Sequence, residues 1–328
     1  MENIKIRDIE LYHGDKIVAN DYYIEHFKKQ GKDIKKFMEE IMMRKYRYEV
    51  DREKENALTM AIESSIRVLE KSNMSGKDID MIVYSGVLPE YASPTTALTI
   101  HKAIKGKEEC FCHDMNVNCI GMTYALDLIN RYMSSNNNVN KVLLVGCDYL
   151  TPQVSEENEE CYGQYGDASC ALILERTNED CKLIDTKVGV NNGFVDHVKF
   201  PKCGFAHIYD KPKEEVYVKW EPFGAWWIDK AIENINSMLD KNNLEMDDIS
   251  MFCFSQIAGK NIIKLREKMG ISEEKSIYIG DTYGYTGTTS PFIAFYEGIK
   301  NGQIKRGDYV VFCTVAAGST HIEVLIKY

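Results

Sequence analysis

The residues most capable of chemistry lie between Phe111 and Arg131, which read FCHDMNVNCIGMTYALDLINR. A short strand-like stretch runs into Asn116-Val117-Asn118-Cys119. A helical pattern follows, with Ile120, Tyr124, Leu126 and Ile129 as core contacts. Cys119 therefore stands where a strand becomes a helix. The positive end of the helix dipole at that position lowers a thiol's pKa and favours the thiolate, which is the nucleophilic form. The segment alone also permits a buried cysteine whose role is packing.

Other groups could assist such a nucleophile. His113, six residues before Cys119, and His321, near the C-terminus, are candidate bases, as are His197 and His207. Each also fits a structural or exposed position. The run Trp220-Glu221-Pro222-Phe223-Gly224-Ala225-Trp226-Trp227 could roof a tunnel or simply pack. Tyr162, Tyr283 and Tyr285 could belong to a pocket or to the core. The ten cysteines are scattered, several among apolar residues, as expected of small buried hydrophobes in a reducing compartment. Cys110 and Cys112 share one face of a strand, but no second ligand pair accompanies them, so no metal site is expected.

Those residues must be positioned by a larger frame, and the chain contains that frame twice. Ala61 to Ser85, AIESSIRVLEKSNMSGKDIDMIVYS, aligns without a gap on Ala231 to Ser255, AIENINSMLDKNNLEMDDISMFCFS. Both copies read as an amphipathic helix, a polar turn and a short strand. A repeat of this length is too long for a solenoid and implies two similar α/β halves. Lys141–Gly146 and Asp308–Cys313 are near-continuous apolar runs suited to central strands covered on both faces. A polar loop at Arg176-Thr177-Asn178-Glu179-Asp180 sets the boundary, giving halves 1–180 and 181–328.

Composition excludes some function classes. The 328 residues are 44% hydrophobic, enough for a sizeable core. A formal charge of −10 argues against general nucleic-acid binding. The one dense basic stretch, Arg44-Lys45-Tyr46-Arg47-Tyr48, reads as a helix end or loop contact. No apolar run reaches the length of a membrane span, and the N-terminus has no charged-then-apolar pattern, so a cytoplasmic protein is expected.

Several stretches carry a resemblance. DMNVNCIGMTYALDLI is similar to the nucleophile region of the β-ketoacyl-carrier-protein synthases III, within the thiolase superfamily. Gly163–Leu174, GQYGDASCALIL, resembles that family's FGDGAGAVVL stretch. Gly302–Asp308, GQIKRGD, resembles its GRIKPGD turn, and Ala316-Ala317-Gly318-Ser319-Thr320 its C-terminal Gly-rich loop. The resemblance implies an α/β thiolase-like fold: two duplicated halves with mixed five-stranded sheets in a layered αβαβα arrangement. It also implies a nucleophilic Cys119, an oxyanion hole from the backbone N–H groups of Cys119 and Ala317, and a homodimer.

Two catalytic positions depart from the family pattern. Where its His begins HQAN, this chain has Ser255-Gln256-Ile257-Ala258; where its Asn lies in HGNTSAAS, it has Tyr283-Gly284-Tyr285-Thr286. Ser255 and Tyr285 keep hydroxyl donors, but neither is an ordinary base near pH 7. Standard decarboxylative condensation is thereby in doubt, whereas acyl transfer through Cys119 is less affected. Lys260 replaces an Arg that meets the carrier protein, and Ala258 an Asn that touches pantetheine. The family's clamp for coenzyme A has no clear match around Phe37–Arg44. The substrates implied are acyl thioesters of coenzyme A or, preferably, of acyl carrier protein, with no permanently bound cofactor.

Three readings follow. The first is an acyltransferase of fatty-acid, polyketide or related secondary metabolism. The second is a catalytically impaired subunit paired with a ketosynthase homologue. The third is a degradative thiolase using Cys313, the only late cysteine, as its second catalytic thiol.

Overall fold

The computed structural model describes residues 3–222 and 224–328. In chain order the elements are β1 (Asn3–His13), β2 (Lys16–Ala19), α1 (Asn20–Lys28), β3 (Tyr46–Glu49), α2 (Ala57–Lys71), β4 (Met81–Ser85), α3 (Thr96–Ala103), β5 (Phe111–Met115), α4 (Gly121–Ser135), β6 (Lys141–Cys147) and β7 (Ala168–Thr177). They continue with β8 (Lys182–Val190), β9 (Val198–Lys199), the single turn α5 (Lys213–Val216), β10 (Lys219–Trp220), α6 (Trp227–Lys241), β11 (Ile249–Phe254), α7 (Gly259–Met269), the short α8 (Gly280–Tyr283), α9 (Ser290–Lys300), β12 (Tyr309–Ala316) and β13 (Thr320–Lys327).

The first sheet has the order β1-β7-β6-β4-β5, parallel at β6-β4-β5 and antiparallel towards β1. The second runs β11-β12-β13-β8, parallel only at β11-β12. Helices α2 and α3 cover the outer face of the first sheet, and α6 and α7 that of the second. Between the sheets α4 and α9 share one apolar core, where Met122, Leu126 and Ile129 meet Phe292, Phe295 and Phe312. Five layers result, as the resemblance implies.

The internal repeat is visible in local geometry. Helices α2 and α6 end alike: Asn73 and Asn243 both take left-handed φ, at 52° and 53°. Met74 then donates its N–H to the Leu69 carbonyl, as Leu244 does to that of Leu239. This is a Schellman ending with Asn at the position that tolerates positive φ. The turns that follow are also equivalent, with Asp78 accepting from the Ser75 N–H and Asp248 from the Glu245 N–H.

One sequence expectation is corrected: the second sheet has four strands among the described residues, not five. The segment 276–279, where the counterpart of β5 would lie, is tied down by a side chain instead. Gln256 accepts from the Ile279 N–H at 3.0 Å and donates to the Ile277 carbonyl at 3.3 Å. A glutamine amide offers the same donor and acceptor as a peptide group, so it replaces the ladder locally.

Candidate functional site

Cys119 and Tyr285 stand in corresponding turns, one before α4 and one before α9, and the shared central layer brings these turns together. Helix α4 has no side-chain cap of its own. Two of its free N-terminal N–H groups are satisfied by other means: Gly121 donates to the Asn118 carbonyl at 3.0 Å, and Met122 donates to Thr288 Oγ1 at 2.7 Å. The turn of the second half thus caps the helix that follows Cys119 in the first. Gly121 lets the start of α4 pack closely on the end of β4, since a Cβ there would sit 2.1 Å from Ser85 Oγ. Asn118 takes a left-handed φ of 52°, and its side-chain amide donates to the Ala317 carbonyl at 3.0 Å, anchoring the loop between β12 and β13.

Cys119 lies at the floor of a cavity of about 170 Å³. Its walls are apolar: Leu88, Leu150, Val154, Val218, Ile257 and Val315 among them. Val198, Phe200, Phe205 and Trp220, from the excursion between β8 and α6, form the roof. Of the aromatic run, Trp220 lines the cavity while also packing against the core. Trp226 instead stacks on Phe194, and Trp227 is buried where α6 begins. Phe223 lies outside the described residues. No Lys, Arg, His, Asp or Glu lines this cavity among the described residues.

Cys119 and Ala317 line the same cavity, and their backbone N–H groups act to lower the Cys119 pKa, although neither closes into a hydrogen bond with the sulfur. The Tyr285 hydroxyl lies beside the same sulfur on one side and the Ser255 hydroxyl on the other. Neither contact closes into a well-aligned hydrogen bond, so both hydroxyl oxygens remain without a settled partner in a buried setting. Tyr285 is held by its backbone, which donates to the Gln164 carbonyl and accepts from the Gly166 N–H. Ser255 ends β11 and donates its N–H to the Cys313 carbonyl at 3.0 Å.

The thiol behaves contrary to the expectation from the helix dipole. Burial, and then the negative charge of Asp148, push the Cys119 pKa up to about 11; the contacts from Tyr285, Ala317 and its own N–H only moderate the rise. The sulfur faces the cavity rather than bulk water, and no cation is present to favour the thiolate. The neutral thiol is the resting form.

The remaining candidates fall elsewhere. His113 sits on edge strand β5, lining an outer hollow with Leu128 and Tyr132. His321 is fully buried, and its Nδ1 contacts Glu323 Oε1 at 2.8 Å. Neither His113 nor His321 lines the Cys119 cavity, so neither replaces the missing base. Cys313 faces Glu323 within the second sheet, at 3.9 Å, which removes the geometry a second thiolase cysteine would need. His197 Nδ1 donates to the Pro222 carbonyl at 2.9 Å, and His207 lies in an exposed turn. Ala258 is the buried N-cap of α7 and does not line the cavity, although its neighbour Ile257 does; Lys260 is exposed in the first turn of α7. No group of three or more metal-ligating side chains occurs among the described residues, and no described helix is long and apolar enough to cross a membrane.

Sequence reasoning missed two supports. Arg44, in the basic stretch, is 1% exposed and has no carboxylate partner among the described residues. Its guanidinium donates to the carbonyls of Gln256 at 3.2 Å and Ile257 at 2.8 Å, and to the Tyr278 hydroxyl, bracing the strand end that carries Ser255. Asp148, just after β6, is the second. Alternating charge in the first case and a lone acid after an apolar strand in the second gave no signal of burial.

Comparison with known proteins agrees with this geometry. Residues 113–192 match the model of 3-oxoacyl-[acyl-carrier-protein] synthase III, and residues 239–328 match that of its C-terminal part. Together the two cover a little over half of the chain. The chain belongs to the β-ketoacyl-[acyl-carrier-protein] synthase III-like proteins of the thiolase superfamily. It is 26% identical to the β-ketoacyl-[acyl-carrier-protein] synthase III of Aquifex aeolicus over 84% of this chain and 85% of that one. With the synthase of Clostridium perfringens, identity is 26% over the whole of both chains. The crystal structure of the Aquifex aeolicus enzyme superposes with a TM-score of 0.86 at 22% identity, covering 99% of this chain and all of the other. OleA of Xanthomonas campestris gives 0.86 at 15% identity, covering 100% and 99%. At such identities the structures establish the thiolase-like fold, while family membership establishes an acyl-transferring enzyme class.

Proposed function

We propose that this protein is an acyltransferase in which Cys119 accepts an acyl group from a coenzyme A or acyl-carrier-protein thioester and passes it to an acceptor in fatty-acid, polyketide or related metabolism. The observation that carries the reading is that Cys119, just before α4, and Ala317 line one apolar cavity, which leaves their two backbone N–H groups available to a group bound there. A thioester carbonyl placed there develops its negative charge against two fixed donors. The Cys119 sulfur adds to the carbonyl carbon, the carbon–sulfur bond to the donor breaks, and the thiol proton is carried off with the departing donor thiol. The acyl group then waits in a water-poor pocket for its acceptor.

Ser255 and Tyr285 act here as hydroxyl donors in place of the family's His and Asn. They can hydrogen-bond an anionic intermediate but do not serve as bases. This favours an unusual acceptor or a step in which the substrate supplies the base. Lys260 and the stretch around Ala258 present the carrier-protein side of the entrance. The second reading, an impaired partner of a ketosynthase homologue, is favoured by one observation: Ser255 and Tyr285 stand where the family has His and Asn, and no His, Asp, Glu or Lys lines the cavity among the described residues.

Intact mass after incubation with a panel of acyl-coenzyme A and acyl-carrier-protein thioesters separates the two. A mass gain equal to one acyl group is expected, forming more slowly below pH 7 than at pH 9 because the reactive thiolate rises with pH towards the raised pKa. No adduct with any donor over this range establishes the impaired partner instead.

The proposal includes a homodimer. Strand β5 is an open edge of the first sheet, and beside it Phe111 is 64% and Leu128 42% exposed. Apolar groups flanking an unpaired parallel edge suit continuation into a second copy. Sedimentation equilibrium is expected to give twice the chain mass, falling to one for Leu128→Asp. A wild-type protein that sediments as a single chain at micromolar concentration overturns this assembly.

A further inference from the structure

We infer that Asp148 is a positioning residue for the nucleophile: its carboxylate joins the turn before α9 to the N-terminus of α4 and sets where Cys119 and Tyr285 stand. This rests on the proposed reading of Cys119. Asp148 is 1% exposed. Its Oδ2 accepts the Thr288 N–H and its Oδ1 the Val87 N–H, each at 2.7 Å. Thr288 Oγ1 in turn accepts the Met122 N–H at 2.7 Å, three residues beyond the nucleophile. One carboxylate thus links the cavity wall at Val87, the turn that follows Tyr285, and the first turn of the nucleophile helix. The fit is close. Gly287 takes φ +62°, and a Cβ there would lie 2.1 Å from Asp148 Oδ2.

Packing alone does not explain a carboxylate at this place. The titratable groups that face it are Cys119, Tyr285, Tyr84 and Cys147, all neutral at rest, and none is a cation. Burial holds its own pKa near 6 while the two N–H donors oppose the rise. Above that pH the charge disfavours thiolate at Cys119 while the bonds keep its helix aligned. Asp148 therefore lowers the sulfur's intrinsic reactivity and improves its placement. Those two effects have opposite signs, which a purely structural acid would not show.

The test uses two readouts on the full chain. The first is iodoacetamide labelling of Cys119 against pH, quantified on its peptide, which needs no substrate. The second is the rate of acylation by the thioester that loads the wild type. Asp148→Asn is expected to lower the apparent thiol pKa by at least about one unit, so that labelling at pH 8 speeds up by about tenfold while acylation slows by about tenfold. Thr288→Val, which loses the bond to Met122, slows acylation by a similar factor, and Thr288→Ser restores it. Rates that move together in Asp148→Asn, or an unchanged acylation rate in Thr288→Val, overturn the inference. Should Asp148→Asn fail to fold, the Thr288 pair decides alone. Failure of the wild type to acylate with any thioester refutes the enzymatic reading, while the labelling profile still decides whether the carboxylate opposes the thiolate.

Discussion

Cys119→Ala abolishes covalent acylation and lowers turnover by at least about 10³-fold, because the nucleophile divides one difficult transfer into two easier ones. Folding is retained. The sulfur borders an existing cavity, so its removal enlarges a space already present instead of opening a new one in the packed layer between α4 and α9. Intact mass, turnover and a thermal unfolding curve check the three statements together. An acyl adduct that persists in Cys119→Ala on Cys110, just before β5, or Cys112, within it, both partly exposed, would sink the assignment of the nucleophile.

Tyr285→Phe is expected to reduce turnover by about 10²-fold, the range for loss of one donor to a developing anion. The substitution keeps the ring and its packing against Tyr165, at 6.1 Å between centroids, and deletes only the hydroxyl beside Cys119. That hydroxyl is one of the few influences that lower the thiol's pKa, so the variant's thiol titrates higher still. Its labelling rate at any pH below about 11 therefore falls. The pairing of effects is the diagnostic: both the rate at saturating substrate and the thiol's intrinsic reactivity decline, with little change in the apparent affinity for the thioester. Unchanged turnover would mean that Tyr285 only fills space once held by a smaller family residue. The result would then return the role of donor to Ser255 or to the backbone pair.

Much of the architecture was legible before any coordinates. The repeat from Ala61 to Ser85 and Ala231 to Ser255 announced two α/β halves because each copy must bury the same helix face and the same strand. The equivalent endings at Asn73 and Asn243 follow from that shared chemistry. The apolar runs around Val142 and Val310 marked central strands for the same reason. Cys119 was locatable because a lone thiol at the start of a periodic helix is a local pattern.

Charge state and partnership were not local patterns. The helix-dipole argument for Cys119 considered one helix, whereas its acidity is decided by burial and by Asp148, brought from the end of another strand. His321 looked available beside the Gly-rich loop, yet strand alternation turns it to the face that holds Glu323. The second sheet has no fifth strand among the described residues, and the Gln256 amide holds segment 276–279 instead, a long-range contact no periodicity can reveal. The stretch holding Arg44 read as a helix end or loop contact, and only the structure shows its guanidinium buried against carbonyls of the other half. The sequence by itself determined the duplicated fold and pointed to Cys119, Ser255 and Tyr285 as candidate site residues, since these are carried by residue type and short-range spacing. The tertiary structure alone decided which groups meet the sulfur and how the buried charges act on it, because desolvation and Coulomb interaction depend on distances between segments far apart in the chain.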